Sequence, residues 1–158
     1  MVTFRVAGHP ITQGSKRAFV VGGQARLVES GGQRHKDWRH AVGDAARHAY
    51  AGQAPMTGPV EITAAFELQP PKSKPKRRRT WPIGQRSGDL SKLMRCIEDS
   101  LTGVVYVDDS QIVLYRDITK DWAGSAGPGV TITVSPIGND QPPLAPTVAD
   151  VPTTGTLL

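Results

Sequence analysis

The chain has 158 residues, 38% of them apolar and 21% charged, which suits one globular domain and leaves little room for two. Its single cysteine, Cys96, excludes an internal disulfide or a cysteine-built zinc site, and a chain of this length does not need one to bury a core. No apolar run approaches the roughly 18 residues of a membrane span, and MVTFRVAGHP has no basic segment leading into an apolar one, so a cytoplasmic soluble protein is expected.

The formal charge of +5 conceals a stronger asymmetry. Residues 1–88 hold 15 Lys and Arg against 5 Asp and Glu, whereas residues 89–158 hold 4 against 9. A basic half attracts a polyanion such as nucleic acid, and clustered carboxylates call for a cation to relieve their repulsion. Together they suggest a metal-dependent enzyme acting on phosphates. A basic RNA-binding module with an acidic solvated face has the same composition, so the arrangement of the carboxylates decides.

Val2, Phe4 and Val6 alternate with Thr3 and Arg5, the period of a strand with one buried face. After Gly8-His9-Pro10, residues 18–21 read as a short strand turning at Gly22-Gly23 toward Arg26-Leu27-Val28. This is a hairpin or loose loop bearing Lys16, Arg17 and Arg26. From Lys36 to Tyr50 the period becomes helical, with Trp38, Ala41, Val42, Ala45, Ala46 and Ala49 on one stripe. That helix ends near Gly52, before Pro55. VEITAAFEL, from Val60 to Leu68, is the clearest strand. The segment that follows has six cations in the eight positions from Lys72 to Arg79, namely Lys72, Lys74, Lys76, Arg77, Arg78 and Arg79. It reads as an extended loop able to clamp a phosphate backbone, or as a solvated linker.

Leu90, Leu93, Met94, Ile97 and Leu101 form one stripe of a second helix, closed by Gly103. Val104 to Val107 is a strand or strand-like turn, Gln111 to Ile118 a strand, and Val130 to Val134 the last strand. Residues 1–137 thus read as one α+β domain, a small mixed sheet packed against two helices. Residues 138–158, rich in Pro, Thr and Gly without periodicity, read as a disordered tail. Cys96 and Trp38 are expected in the core. His9, His35, His40 and His48 have no metal-ligand spacing and are expected to face solvent or phosphate. Trp81 and Trp122 each suit either packing or stacking on an unpaired base.

Asp89, Glu98, Asp99, Asp108, Asp109, Asp117 and Asp121 gather in the second half. Asp89 stands at a helix start, where it can serve as N-cap. Ser91, Arg95 and Glu98 lie along one face of that helix, and Asp108-Asp109 ends an apolar run. A helix start and a strand end can converge carboxylates on Mg²⁺, which takes hard oxygen ligands and keeps several waters. Such a metal activates a water for attack on a phosphodiester, and Arg95 is placed to steady the developing charge. The structural alternative is that Asp89 merely caps the helix and Arg95 pairs with Asp99.

The run from Gly88 to Ile112, GDLSKLMRCIEDSLTGVVYVDDSQI, resembles the signature of the RusA family of Holliday junction resolvases, approximately P-D-x-D-N-L-x-K, then D-x-L-N-G, then DD-x-Q-V. Phe4 to Pro10 followed by Lys16-Arg17, and Gly58-Pro59-Val60, are similar to the family's opening strand, basic segment and strand entry, so the likeness extends over residues 2–135. The resemblance implies a homodimer that places symmetric nicks in opposing strands of a four-way DNA junction with a divalent metal, Mg²⁺ or Mn²⁺ in its place. It puts the first acid on Asp89 and the catalytic acid of the pair on Asp109, with Asp108 beside it. The family lysine falls on Arg95 and the helix aspartate on Asp99. Ser91 stands where the family has its second aspartate, and Lys92 where it has asparagine. Glu98, on the same helical face, is the expected replacement, so the expected ligands are Asp89, Glu98, Asp108 and Asp109, with Ser91 giving a hydroxyl or water contact. Lys16, Arg17 and the 72–79 cations are expected on DNA phosphates. The competing reading, which Ser91 favours, is a branched-DNA binding protein of the same fold with impaired catalysis.

Overall fold

The computed structural model describes residues 1–14, 16–21, 24–29, 32–75, 77–84 and 87–138. β1 spans Val2–Ala7, β2 Lys16–Val21 and β3 Gln24–Glu29, followed by α1 over Gly32–Ala49, β4 over Val60–Leu68 and α2 over Leu90–Leu101. A 3-10 turn, Asp109–Gln111, leads into β5 (Ile112–Tyr115), β6 (Thr119–Trp122) and β7 (Gly129–Pro136). The expected α+β class is observed: a mixed five-stranded sheet with two helices, and a separate antiparallel hairpin of β2 and β3. The expected tail falls outside the described residues from position 139 on.

β4 organises the sheet. Its alternation of apolar and polar residues buries Val60, Ile62, Ala64, Phe66 and Leu68 on one face and leaves the residues between them half-buried on the other. One edge pairs antiparallel with β7, which in turn pairs antiparallel with β1. Two short strands share the opposite edge in tandem and parallel to β4: β5 against Val60 to Ile62, then β6 against Ala65 to Leu68. The sequence pattern predicts one strand from Gln111 to Ile118. The break arises at Asp117, whose φ of 50° turns the chain through the left-handed region between the two strands, a conformation that aspartate tolerates better than most residues.

Both helices lie over the apolar face. Trp38, Val42 and Ala46 of α1, with Leu93, Met94, Ile97 and Leu101 of α2, join Phe4, Val6, Phe66, Ile132 and Val134 in one core. At roughly 1.5–3 kcal/mol per large apolar side chain, this burial is the main force holding the sheet and helices together. Cys96 is fully buried there, as expected. The stripe of α1 differs from its reading in two respects. Ala41 and Ala49 are exposed, and His35 is buried at 2% exposure rather than facing solvent, because it falls one turn before Trp38 and two before Val42 on the covered face. His9, His40 and His48 are exposed. Val104 to Val107 forms no regular strand. Met56 bridges to Tyr106, its N–H bonded to the Val105 carbonyl at 2.8 Å. On the sheet's other face Arg5 pairs with Glu67 and donates to the Gly127 carbonyl at 2.8 Å, and Arg116 pairs with Glu61 at 2.8 Å.

Candidate active site

α2 and the 3-10 turn come together near the β5 edge, and the acidic residues divide there into three settings. Asp89 occupies the N-cap position of α2 with extended backbone, yet its carboxylate makes no cap hydrogen bond. It pairs instead with Lys92 at 2.9 Å, and that contact, with Lys120 further off, holds its pKa below the usual carboxylate range. Lys92, which replaces an amide in the resembled motif, thus supplies Asp89 with a counter-ion.

Glu98 lies half-buried two turns along α2. Burial pushes its pKa up, the nearby charges of Asp109 and Asp99 push it further, and a hydrogen bond from the Tyr115 hydroxyl to Oε1 at 2.7 Å partly offsets both. Burial, and after it the same contact with Glu98, push the Tyr115 hydroxyl up to about 12. Tyr106, fully buried, donates to the Glu98 carbonyl at 3.1 Å and fixes the backbone of that turn.

Asp108 and Asp109 are adjacent but do different things. The Asp108 carboxylate accepts from the Ser110 N–H at 2.9 Å, and the Gln111 side chain accepts from the Asp108 N–H at 2.9 Å, a reciprocal cap of the 3-10 turn. Gln111 also donates to the carbonyls of Met56 and Gly58, at 2.9 and 2.8 Å, so the turn is fastened to the segment entering β4. Asp109 makes no side-chain hydrogen bond or ion pair among the described residues, and its charge is felt at Glu98, Tyr106 and Tyr115. The structure therefore brings Glu98 and Asp109 together and leaves Asp89 and Asp108 with other partners. No three Asp, Glu, His or Cys side chains form a ready metal cage among the described residues.

Arg95, exposed on α2, makes no ion pair among the described residues and lies close enough to favour the ionised form of Glu98. The alternative pairing of Arg95 with Asp99 does not form. Asp99 faces Arg39 of α1 at 3.8 Å. Ser91 is exposed. The predicted phosphate contacts fall into groups. Lys72, Arg77 and Arg78 are exposed and Lys74 half-buried, while Arg79 pairs with Asp121 and lies 4.1 Å over the Trp81 ring. Lys16 and Arg17 belong to β2, opposite Glu29 and Val28, and Lys76 lies outside the described residues.

Three contributors were not legible in the sequence. Tyr115 meets Glu98 only because β5 is registered against β4. Lys120 of β6 reaches across to donate to the Gly88 carbonyl at 2.6 Å and to lie 3.4 Å from Ser87 Oγ, holding the peptide that leads into Asp89. Tyr106 depends on the turn after α2. Lys120→Met is expected to lower stability by about 1–2 kcal/mol, since a charged donor to a half-buried carbonyl is lost. Lys120→Arg should retain most of it, and urea denaturation measures both.

The α+β fold thus carries acidic side chains on α2 and the 3-10 turn and exposed cations on the segment after β4. The family model of the endodeoxyribonuclease RusA matches residues 7–135, and the chain belongs to that family of endodeoxyribonucleases. A search of curated proteins found no match. No helix of the described residues is long and apolar enough to cross a membrane.

Proposed function

We propose that this protein is a structure-specific endodeoxyribonuclease that resolves four-way DNA junctions by paired symmetric nicks, as a homodimer using Mg²⁺, with Mn²⁺ as substitute. The observation that carries the reading is the family match over residues 7–135, which includes both acidic motifs. A two-fold dimer suits a junction with two equivalent scissile sites. The catalytic unit is residues 1–137, the setting cytoplasmic.

The donor chemistry fits a hard divalent ion. Glu98 and Asp109 would hold the ion through carboxylate oxygens whose mutual repulsion a cation would relieve, and Mg²⁺ is commonly held by one or two carboxylates plus water and substrate phosphate. When bound, the metal supplies an activated water and neutralises charge on the phosphodiester. The chain's own residues do the rest. Tyr115 orients Glu98, the Asp108 and Gln111 cap fixes the turn that carries Asp109, and Arg95 offers a cation to the attacked phosphate. Asp89, paired with Lys92, stands at the helix start as a further carboxylate. The exposed cations of the 72–79 loop hold junction arms through phosphates, selecting shape rather than base sequence.

The test is nicking of a labelled synthetic four-way junction with and without Mg²⁺, beside a linear duplex. Paired nicks at symmetric positions, only on the junction and only with metal, are the expected result. The second reading, a junction-binding protein without cleavage, is favoured by Ser91 in place of an acid. Tight binding to the junction with no nicks in Mg²⁺ or Mn²⁺ would establish it.

A further inference from the structure

A cleft of about 1250 Å³ opens between α1 and the segments that follow β4, away from the paired carboxylates. Ile11, Leu68, Trp38 and Trp122 give it apolar walls, and Arg34, Lys72 and one acid, Asp37, line it as exposed charges. Trp122 is half-buried, with its indole N–H fixed to Thr80 Oγ1 at 3.1 Å, so its ring is held in place while part of it remains accessible. Trp38 is 5% exposed, and its buried indole nitrogen has no hydrogen-bond partner among the described residues. A buried Trp N–H usually finds one.

The cleft reaches the peptide that leads into α2 rather than the Glu98 and Asp109 pair. Ser87, two residues before Asp89, lines it, and Lys120 and Trp122 alternate along β6 so that both side chains leave the same face. The lysine that holds Gly88 thus stands beside the tryptophan that walls the cleft. Trp122 is therefore tied through β6 and Lys120 to the peptide that leads into α2.

We propose that this cleft receives one unstacked nucleobase of the DNA strand entering the acidic site, an inference that rests on the junction-cleaving reading above. An aromatic wall accepts any base face, apolar walls replace the lost stack, and Arg34 and Lys72, two cations against the single acid Asp37, favour the flanking phosphates. Removing a base from continuous duplex costs several kcal/mol, and the cost is least where pairing is already interrupted. The cleft therefore adds selection for branched over linear DNA without reading base identity.

The test couples a base to the ring. In a four-way junction, each nucleotide flanking the crossover is replaced in turn by an abasic residue, and binding is measured in EDTA for the full-length wild type, Trp122→Leu and Trp122→Phe. At one position the abasic substitution should weaken wild-type binding about tenfold, and Trp122→Leu should weaken the intact junction similarly. The two together should weaken binding no further, and Trp122→Phe should restore the coupling. Effects that add in full at every position, as when the cleft instead takes an apolar protein segment, would overturn the inference while leaving junction cleavage standing. If Trp122→Leu fails to fold by circular dichroism, Ala41→Met, at an exposed α1 position lining the cleft, replaces it in the cycle. A wild type that neither binds nor nicks the intact junction would overturn the junction reading and this inference with it.

Discussion

Asp109→Asn is expected to reduce metal-dependent junction nicking by about 10²-fold or more, since merely removing a group that orients a metal ligand costs about 10- to 100-fold. Its stability should change by no more than about 0.5 kcal/mol, as for most exposed positions, because the Asp109 side chain makes no hydrogen bond or ion pair among the described residues. Glu98→Gln should lose activity to a similar degree with no loss of stability, since the amide keeps an oxygen for Tyr115 and relieves the repulsion from Asp109. The pH dependence separates the two variants. In the folded wild type the Glu98 pKa is raised, so the group's contribution to stability is present below the usual carboxylate range and lost as pH rises through the folded value. Glu98→Gln abolishes that slope, whereas Asp109→Asn only reduces it. If Glu98 stands in for the acid that Ser91 does not supply, Ser91→Asp should restore nicking to Glu98→Gln, since the two positions lie on one helical stripe. Full activity in Glu98→Gln would remove Glu98 from the chemistry, and failure of the rescue in an inactive Glu98→Gln would show that position 91 cannot supply the missing acid.

Local periodicity carries much of this architecture. The alternation of VEITAAFEL gives β4 from Val60 to Leu68, and the stripe Leu90 to Leu101 gives α2 with the same limits. Each is long enough for its period to be unambiguous. The four-residue strands β5 and β6 are not, and their separation depends on the backbone of one residue, Asp117. In the candidate site, chain-local relationships were legible: Asp89 at a helix start, Glu98 on the Ser91 and Arg95 face, Asp109 in a turn. Relationships made by tertiary register were not. Tyr115 to Glu98 needs the parallel pairing of β5 on β4, and Lys120 to Gly88 needs that of β6 on β4. The partners of Asp89 and Asp108 likewise depended on a choice that spacing leaves open. A carboxylate next to a helix can cap it, pair with a lysine one turn on, or reach for a metal, and only side-chain geometry selects among these.

Gly88→Ala is expected to destabilise the protein by roughly 2–4 kcal/mol, combining the cost of a non-glycine left-handed residue with that of overpacking. The Gly88 φ of 71° lies where L-residues are strained, and a methyl group there would come closer than 3.0 Å to Cγ2 of Thr12. Thr12 has little freedom to withdraw, because the next residue, Gln13, is bonded through its N–H to the Lys92 carbonyl at 3.0 Å. The N-terminal segment and the first turn of α2 are therefore clamped together around Gly88, and Lys120 holds its carbonyl from the other side. A displaced Gly88 also displaces Asp89, so activity should fall by more than the unfolded fraction accounts for. Thr12→Ser removes the clashing methyl and leaves the backbone strain. In a double-mutant cycle it should recover the overpacking part of the loss, on the order of 1–3 kcal/mol, and leave about 1–2 kcal/mol due to φ alone. Urea denaturation of the four proteins reads this directly, and full additivity of Gly88→Ala with Thr12→Ser would show that the clash is relieved elsewhere.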